Sequence, residues 1–372
     1  MKKIIIVILI IVIIVLIAVF GRTSSSSTDT IKIGYFGPFT GPVAGDTGAD
    51  IANGFKLASA DRAMVGNKKV KVIYEDDACD PKKAAAAANK LVSIDKVKVL
   101  VSGVCSGSTL AAAPIAEQNK VILLTPVSTS PKITDAGDYI FRTSASSIVT
   151  AQAASRLLGS FNYKKVAVLF ETADYTVGWK DAFIKEFSLV VGNSVAATES
   201  VVPTDTDMKT QLLKLGQVKP DAILLVLNST VTMNNAIKQM RDLKINAPVI
   251  GNEYMGVKQV VTNPLADGMY ASVYKYDSNS PKLISLLTRY ADTYKTTPST
   301  EIYPALAYDG YNVLLNAIEA CGSDSPECIK AELYKTSGYQ GISGVITMDA
   351  NGDTQREFTL KQIKGGKLVD VK

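Results

Sequence analysis

The sequence predicts an α/β protein made of two doubly wound parallel-sheet lobes with a cleft between them. Strand and helix patterns alternate from residue 31 to residue 124, which predicts parallel pairing through right-handed crossovers. The alternation starts again at residue 150 and continues to residue 251, which predicts a second unit of similar size. Late helical patterns at residues 278–294 and 306–320 are expected to return to the first lobe.

The first lobe is expected to contain short strands separated by helices. Pro81 suits the first turn of a helix, and the five consecutive alanines that follow are strong helix formers. A Gly- and Pro-rich loop over residues 37–48 is typical of a pocket mouth. In chain order the segments are strand 31–36, helix 51–64, strand 69–74, helix 81–92, strand 97–101, helix 110–119 and strand 121–124.

The second lobe repeats the pattern and ends in an expected hairpin. Residues 344–348 and 358–363 are expected to pair around the turn-forming residues 349–353. The resulting domain boundaries place residues 31–147 with 277–344 in lobe 1, and residues 148–276 with 345–372 in lobe 2. The preceding segments are helix 150–161, strand 165–170, helix 179–187, strand 195–201, helix 208–215, strand 222–227, helix 231–243 and strand 248–251.

The N-terminus carries a candidate membrane anchor. Residues 4–20 form an unbroken apolar run behind two lysines, at the short end of what spans a bilayer. The lysines predict that the N-terminus is inside and that everything after the run is extracytoplasmic. No small-residue cleavage site precedes Gly21, which favours an uncleaved transmembrane anchor over residues 1–22 and a Ser/Thr linker over 23–30. The alternative is a cleaved signal segment and a secreted or periplasmic protein.

Composition excludes several classes of function. Lys2, Lys3 and Arg22 account for three of the 40 basic residues, which leaves 37 against 35 acidic residues from residue 23 onward and argues against a nucleic-acid partner. The chain contains no histidine, which excludes Ser-His-Asp and Cys-His catalysis and histidine-containing zinc sites. We therefore expect no enzyme, no metal site and no cofactor.

Four cysteines are expected to form two disulfides, because the compartment outside the membrane is generally oxidising. We predict the pairs Cys79 with Cys105 and Cys321 with Cys328. The chain-entropy relation gives roughly 3–4 kcal/mol for the longer loop and about 2–2.5 kcal/mol for the shorter one. Four unrelated buried thiols are the alternative.

A candidate carboxylate site follows the strand at residues 97–101. That strand ends in a Ser/Gly turn and a helical pattern begins directly after it, which places Ser106 and free N–H groups at a helix N-terminus. A second Ser/Thr loop, residues 125–131, follows another strand end. Residues 103–107 match a nucleophile elbow with cysteine in the serine position, but no histidine is available as a base. Ser106 as a purely structural helix cap is the remaining alternative.

Several motifs resemble those of a known family. They are DDACDP at residues 76–81, GVCS at 103–106, IGY at 33–35, TGP at 40–42 and the Thr-Pro pair at 125–126. Together they are similar to the type I periplasmic, or extracytoplasmic, solute-binding proteins of ABC transporters, closest to the leucine/isoleucine/valine-binding branch. The resemblance extends from residue 31 to the C-terminus. It implies a multi-strand hinge between the lobes and a disulfide between Cys79 and Cys105.

The resemblance also implies a ligand-binding set for an amino acid. Ser106 and Thr129 would hold the α-carboxylate through hydroxyl and N–H donors, and Val127 would offer its carbonyl to the α-ammonium. Glu253 would neutralise the ammonium from the opposite lobe, and Tyr175 would reach the ligand when the cleft closes. A zwitterion in a closed cleft needs such donors on one side and an acceptor charge on the other.

The sequence departs from the branched-chain binders in two places. Asn228 stands where they have a tyrosine, and residues 45–47 replace an aromatic of their side-chain pocket. The departures predict a wider or more polar pocket and make a branched-chain ligand less favoured than another small amino acid or carboxylate. The expected function is capture of the amino acid for an ABC permease. A ligand-sensing domain that signals through a partner protein is the alternative.

Overall fold

Two mainly parallel sheets form the framework of the protein in the computed structural model, which describes residues 30–203 and 205–371. The predicted anchor and nearly all of the predicted linker lie outside these residues. Among the helices that the structure describes, none combines the length and apolar character needed to cross a bilayer.

The first sheet has six strands, and α-helices cover both of its faces. Its strands and helices are β1 (Thr30–Gly37), α1 (Ala49–Asp61), β2 (Met64–Val65), β3 (Lys68–Asp76), α2 (Pro81–Ser93), β4 (Val99–Ser102), α3 (Ser106–Asn119), β5 (Ile122–Thr125) and β6 (Ile140–Arg142). The spatial order is β2–β3–β1–β4–β5–β6, and every neighbouring pair is parallel except β2–β3. In β4, Val99 and Val101 face one core and Leu100 faces the other. Covering on both faces explains why this strand is apolar at successive positions.

The second sheet has seven strands, which alternate with helices over most of its length. The elements are α4 (Ser147–Ser160), β7 (Lys165–Glu171), α5 (Asp174–Ser188), β8 (Ser194–Val201), α6 (Lys209–Gln217), β9 (Ala222–Val226), α7 (Thr230–Asp242), β10 (Val249–Gly251), α8 (Lys258–Val261), β11 (Tyr270–Tyr274), β14 (Phe358–Lys364) and β15 (Lys367–Asp370). The spatial order is β15–β14–β11–β10–β9–β7–β8. The five strands from β11 to β8 are parallel, whereas β14 and β15 join antiparallel.

The late helices return to the first sheet, as the sequence predicts. They are α9 (Pro281–Tyr294), α10 (Ile302–Cys321) and α11 (Pro326–Tyr334). Ile51 and Phe55 of α1 share a buried core with Leu306 of α10. The two-lobed α/β fold class predicted from the alternation of strands and helices is therefore confirmed.

The expected hairpin around residues 349–353 is wrong. Val345–Ile346 (β13) pairs with Tyr339–Gln340 (β12), and β14 pairs with β11 and β15. Ile346 is buried in the first-lobe core, which holds β13 away from β14. The turn itself is closed by the Asp349 N–H, which donates to the Asp353 carbonyl at 2.8 Å, and by an isolated bridge between Met348 and Thr354, but it joins no pair of strands.

Buried arginines tie together the segments that cross between the sheets. Arg356 donates to the carbonyl oxygens of Thr143, at 3.0 and 3.2 Å, and Ser343, at 2.9 Å. Arg142 at the end of β6 donates to both carboxylate oxygens of Asp353, at 2.6 and 2.9 Å. These contacts hold residues 353–356, which lead into β14, against the end of β6 and against Ser343.

Both predicted disulfides are present. Cys79 is bonded to Cys105 with a Cα–Cα distance of 5.5 Å, and Cys321 to Cys328 with a Cα–Cα distance of 5.9 Å. The first disulfide joins the loop before α2 to the residue before α3, so it fixes the two loops beside the candidate carboxylate site.

Candidate functional site

A cavity of about 390 Å³ lies between the two sheets, at the carboxyl ends of their parallel strands. All five residues predicted to bind a ligand line it: Ser106, Val127 and Thr129 from loops of the first sheet, and Tyr175 and Glu253 from the second. The cavity thus brings together residues that are up to 147 positions apart in the chain, although their roles toward a ligand stay predictions.

The first-lobe wall presents hydrogen-bond donors. Ser106 is the first residue of α3, and no side chain caps the start of that helix. The first N–H groups of a helix have no partner within it, so they and the helix dipole favour an anion here. The Ser106 hydroxyl oxygen accepts from the Ser130 N–H at 3.1 Å, which leaves its proton free to point elsewhere. Ser106 is therefore oriented by the neighbouring Ser/Thr loop.

That Ser/Thr loop is held by hydroxyl groups beneath it. Thr109 contacts both Ser102 and Ser128 through hydroxyl oxygens 2.7 Å apart. The Ser128 hydroxyl also donates to the Val104 carbonyl at 3.0 Å. Because these buried hydroxyls satisfy one another, Val127 on the same loop keeps a fixed position at the cavity wall.

The second-lobe wall presents a carboxylate. The Tyr175 hydroxyl donates to Glu253 Oε2, and the Asn252 side chain donates to the Tyr175 hydroxyl at 3.1 Å. Glu253 Oε1 is buried and has no hydrogen-bond partner among the described residues. Glu253 is only 7% exposed. An acceptor oxygen without a partner on a cavity wall is available to a ligand donor.

Burial governs the ionisation of this wall. Burial raises the pKa of Glu253, and the hydrogen bond from Tyr175 acts in the opposite direction, as does the nearby Thr150 hydroxyl to a smaller extent. The Thr150 hydroxyl donates to the Ser147 carbonyl at 2.9 Å, so it does not satisfy Glu253 Oε1. Burial also raises the pKa of Tyr175 well above its usual value, and the nearby Glu253 charge adds to the effect. A cation placed at Glu253 would favour the ionised carboxylate, because an opposite charge favours the charged form.

Other cavity-lining residues were not predicted as ligand contacts. Tyr254, Tyr274 and Tyr303 line it, as do Thr47 and Asn228, which mark the sequence departures. Tyr274 ends the parallel strand β11, so the rule that located Ser106 would have found it had that strand been predicted. Tyr254 directly follows Glu253 in the chain, whereas nothing in the local sequence marks Tyr303.

Polar contacts join the lobes around the cavity. The Thr230 hydroxyl donates to Asp46 Oδ2 at 2.8 Å, with both residues buried. The hydroxyl oxygens of Thr47 and Tyr254 are 3.3 Å apart. At the rim, the Lys132 ammonium lies 3.2 Å from Asp174 Oδ1. The cleft is therefore closed.

A larger cavity, of about 850 Å³, lies beside the first and shares Glu253, Tyr274 and Tyr303 with it. It is lined by neither Ser106 nor Thr129, so it lacks the donors described above. The smaller cavity is the one in which donors and a carboxylate face the same space. Within residues 30–203 and 205–371, no cluster of three or more Cys, Asp or Glu side chains is placed to hold a metal ion.

Comparison with known proteins identifies the family. A family model described as a periplasmic binding protein matches residues 30–367. The leucine-, isoleucine-, valine-, threonine-, and alanine-binding protein of Pseudomonas aeruginosa is 30% identical over 346 residues, which cover 90% of each chain.

Solved structures also resemble this chain. The branched-chain amino acid transporter substrate binding protein of Streptococcus pneumoniae, in complex with isoleucine, is 26% identical with a TM-score of 0.80, covering 91% of this chain and 98% of that one. An ABC transporter solute binding protein of R. palustris, in complex with benzoate, shares the fold at 21% identity and a TM-score of 0.82, covering 92% of this chain and 95% of that one. The chain belongs to the type I periplasmic binding proteins of the leucine/isoleucine/valine-binding family, which bind solutes and are not enzymes.

Proposed function

We propose that this protein is the substrate-binding protein of an ABC importer and that it captures an α-amino acid by hinge closure. The observation that carries the proposal is Glu253 Oε1, a buried carboxylate oxygen that has no hydrogen-bond partner in residues 30–203 and 205–371, in the same cavity as the N-terminus of α3. An isolated buried charge is unfavourable, so its retention on a cavity wall is best explained by a cationic ligand group.

The two ends of an amino acid match the two walls. The α-carboxylate would accept from the Ser106 hydroxyl, from Thr129 and from the first N–H groups of α3. The α-ammonium would donate to Glu253 and to the Val127 carbonyl. Tyr175 would position Glu253 through its hydrogen bond to the other carboxylate oxygen.

Closure follows from this division of the site. Ser106, Val127 and Thr129 belong to the first lobe, and Glu253 and Tyr175 to the second, so an open cleft offers a ligand only one half of its partners. A ligand that contacts both halves stabilises the closed state by its differential affinity for the two states. We further propose that the closed protein presents its ligand to a permease on the outer face of the membrane, held there by residues 1–22 or released from it. The family model, described as a periplasmic binding protein, supports an extracytoplasmic location, and the Streptococcus pneumoniae relative, a transporter substrate binding protein, supports a permease as the partner.

The test is calorimetric titration of the full-length chain, purified in mild detergent, with the common L-amino acids and with benzoate. We expect at least one amino acid to bind, and we expect its N-acetyl derivative and its methyl ester each to lose most of that affinity. The derivatives remove one charge each, so they test the two walls separately. Folded protein that binds no amino acid, or that binds benzoate alone, would refute the proposal.

A further inference from the structure

We propose that the ligand is a neutral amino acid with a hydrogen-bonding side chain, of the serine, threonine, asparagine or glutamine class, and that Thr47 and Asn228 select it. This inference rests on the proposed function and adds the substrate class of the same site. It follows from three further residues that line the cavity, Thr47, Asn228 and Tyr254. Thr47 comes from the loop after β1, so it belongs neither to the start of α3 nor to the Ser/Thr loop, and Asn228 follows β9. We refer to these three residues as the polar wall.

The polar wall is fixed on the first-lobe side by Asp46. Asp46 Oδ1 accepts from the Thr47 N–H at 2.5 Å, and its Oδ2 accepts from the Thr230 hydroxyl at 2.8 Å. Thr47 is 1% exposed, and its hydroxyl lies 3.3 Å from that of Tyr254. The Thr47 hydroxyl also donates to Asp46 Oδ1 at 3.3 Å, so it is held at the cavity by contacts to both lobes and offers a ligand its acceptor lone pairs.

Glu171 fixes the polar wall on the second-lobe side. Its Oε2 accepts from the Asn228 N–H at 3.1 Å and from the Thr232 hydroxyl at 3.0 Å. The backbone of Asn228 is thus anchored, while its carboxamide makes no hydrogen bond within the described residues. An anchored amide with free donors and a free acceptor is suited to a polar ligand group.

Aliphatic, acidic and cationic side chains of a ligand would each fit the polar wall less well than a neutral hydrogen-bonding side chain. An aliphatic side chain would displace water from the Asn228 carboxamide and the Thr47 hydroxyl without replacing its hydrogen bonds. An acidic side chain would approach Asp46 and Glu171, which lie directly behind the wall. A cationic side chain would meet hydroxyl and amide groups, because neither of those carboxylates lines the cavity itself.

The experiment compares ligands of nearly equal shape in calorimetric titrations of the full-length chain. Threonine against valine, and asparagine against leucine, differ chiefly in hydrogen-bonding groups. We expect the polar member of at least one pair to bind about tenfold or more tightly than its apolar partner. Asparagine is also expected to exceed aspartate.

Variants then assign the preference to residues. Thr47→Val and Asn228→Leu should each reduce the polar-to-apolar affinity ratio about fivefold or more, while alanine, whose side chain is too short to reach the wall, keeps its affinity. Thr288→Val, on the exposed face of α9, is the matched control and should leave the ratio unchanged. If a variant does not fold, the polar-to-apolar affinity ratios of the wild-type protein still test the proposed ligand class.

The outcomes separate the two proposals. Tighter binding of valine and leucine, or of lysine, by wild-type protein overturns the polar class and leaves amino-acid capture standing. Unchanged ratios in both folded variants overturn the assignment to Thr47 and Asn228. Failure to bind any amino acid overturns the proposed function itself.

Discussion

Replacing Glu253 with glutamine is the sharpest test of how the cavity binds a ligand. The substitution removes the charge and keeps the shape, and the amide oxygen can still accept from the Tyr175 hydroxyl. Glu253 is 7% exposed, so a bound ammonium would lie in a largely desolvated contact with it. Losing one partner of such a contact removes roughly 2–5 kcal/mol. Since the remaining hydrogen bonds are kept, we expect the lower part of that range, or about 30- to 150-fold in affinity.

The stability of the ligand-free protein should respond in the opposite sense. Glu253 Oε1 has no hydrogen-bond partner in the part of the chain that the structure describes, and burial raises the pKa of the carboxyl group, so the charge destabilises the closed, empty site. Glu253→Gln should therefore leave the thermal midpoint of the empty protein unchanged or raise it. Glu319→Gln, at a mostly exposed carboxylate on α10, is the matched control: it should leave affinity unchanged, and it should cost no more than the pair of Glu319 with Arg62 contributes to stability, which for an exposed pair is about 0–1 kcal/mol.

The same group predicts a pH dependence of binding. A bound ammonium favours the ionised carboxylate, so binding expels any proton that the raised pKa of Glu253 retains in the empty site. Affinity should therefore fall as the pH is lowered through that raised pKa, by at most about tenfold per pH unit, and Glu253→Gln should flatten the profile. Titration calorimetry between neutral and mildly acid pH measures both effects. Wild-type affinity in folded Glu253→Gln protein would refute the reasoning.

Three other predictions concern Ser106 on the first-lobe wall of the cavity, the buried carboxyl group of Asp50 and the disulfide between Cys79 and Cys105. Ser106→Ala should weaken ligand binding by about 0.5–1.5 kcal/mol, which is roughly two- to twelvefold by calorimetry, and an unchanged affinity would remove that hydroxyl from the site. Burial raises the pKa of Asp50 from 3.8 to about 7, so the folded state holds a proton that the unfolded state has released in this range. The free energy of unfolding should fall as pH rises between these values, by up to about 4 kcal/mol, and denaturant titrations of Asp50→Asn should show a flatter profile. Replacing Cys79 and Cys105 with serine should lower the free energy of unfolding by about 3–4 kcal/mol, and a loss below about 1 kcal/mol would contradict the chain-entropy estimate.

The strands and loops that form the first-lobe wall of the cavity could be predicted from sequence, because the patterns that mark them lie within a few residues of one another. The apolar run of β4 ends directly before the turn that contains Ser106, and β5 ends directly before the loop that contains Thr129. The carboxyl ends of neighbouring parallel strands meet at one edge of a sheet, so these loops converge without any knowledge of distant contacts. Glu253 and Tyr175 needed the family resemblance, because an acidic or aromatic residue after a strand is common on a surface.

The parts that sequence did not predict depend on contacts between distant segments. Strand β11 has five residues and β6 has three, which is too short for a periodicity to stand out. The polar turn at residues 349–353 suggested a hairpin, but the buried position of Ile346 and the Arg142–Asp353 pair decide its path. Tertiary packing overrode a correct local turn signal there.

The contacts between the lobes explain why a ligand should control closure. The Lys132–Asp174 pair at the rim is largely exposed, and such pairs contribute about 0–1 kcal/mol. The hydrogen bond from Thr230 to Asp46 is buried, but it is formed only after Asp46 leaves water, and burial raises the pKa of that carboxyl group. Elsewhere between the lobes, the Lys258 N–H donates to the Ser299 carbonyl at 2.9 Å and the Lys258 ammonium donates to the Thr297 hydroxyl at 3.0 Å. The empty closed state still leaves Glu253 Oε1 without a hydrogen-bond partner among the described residues. A ligand that donates to Glu253 and accepts from the start of α3 contacts both lobes at once, so it shifts the population toward the closed state by its differential affinity for the closed and open states.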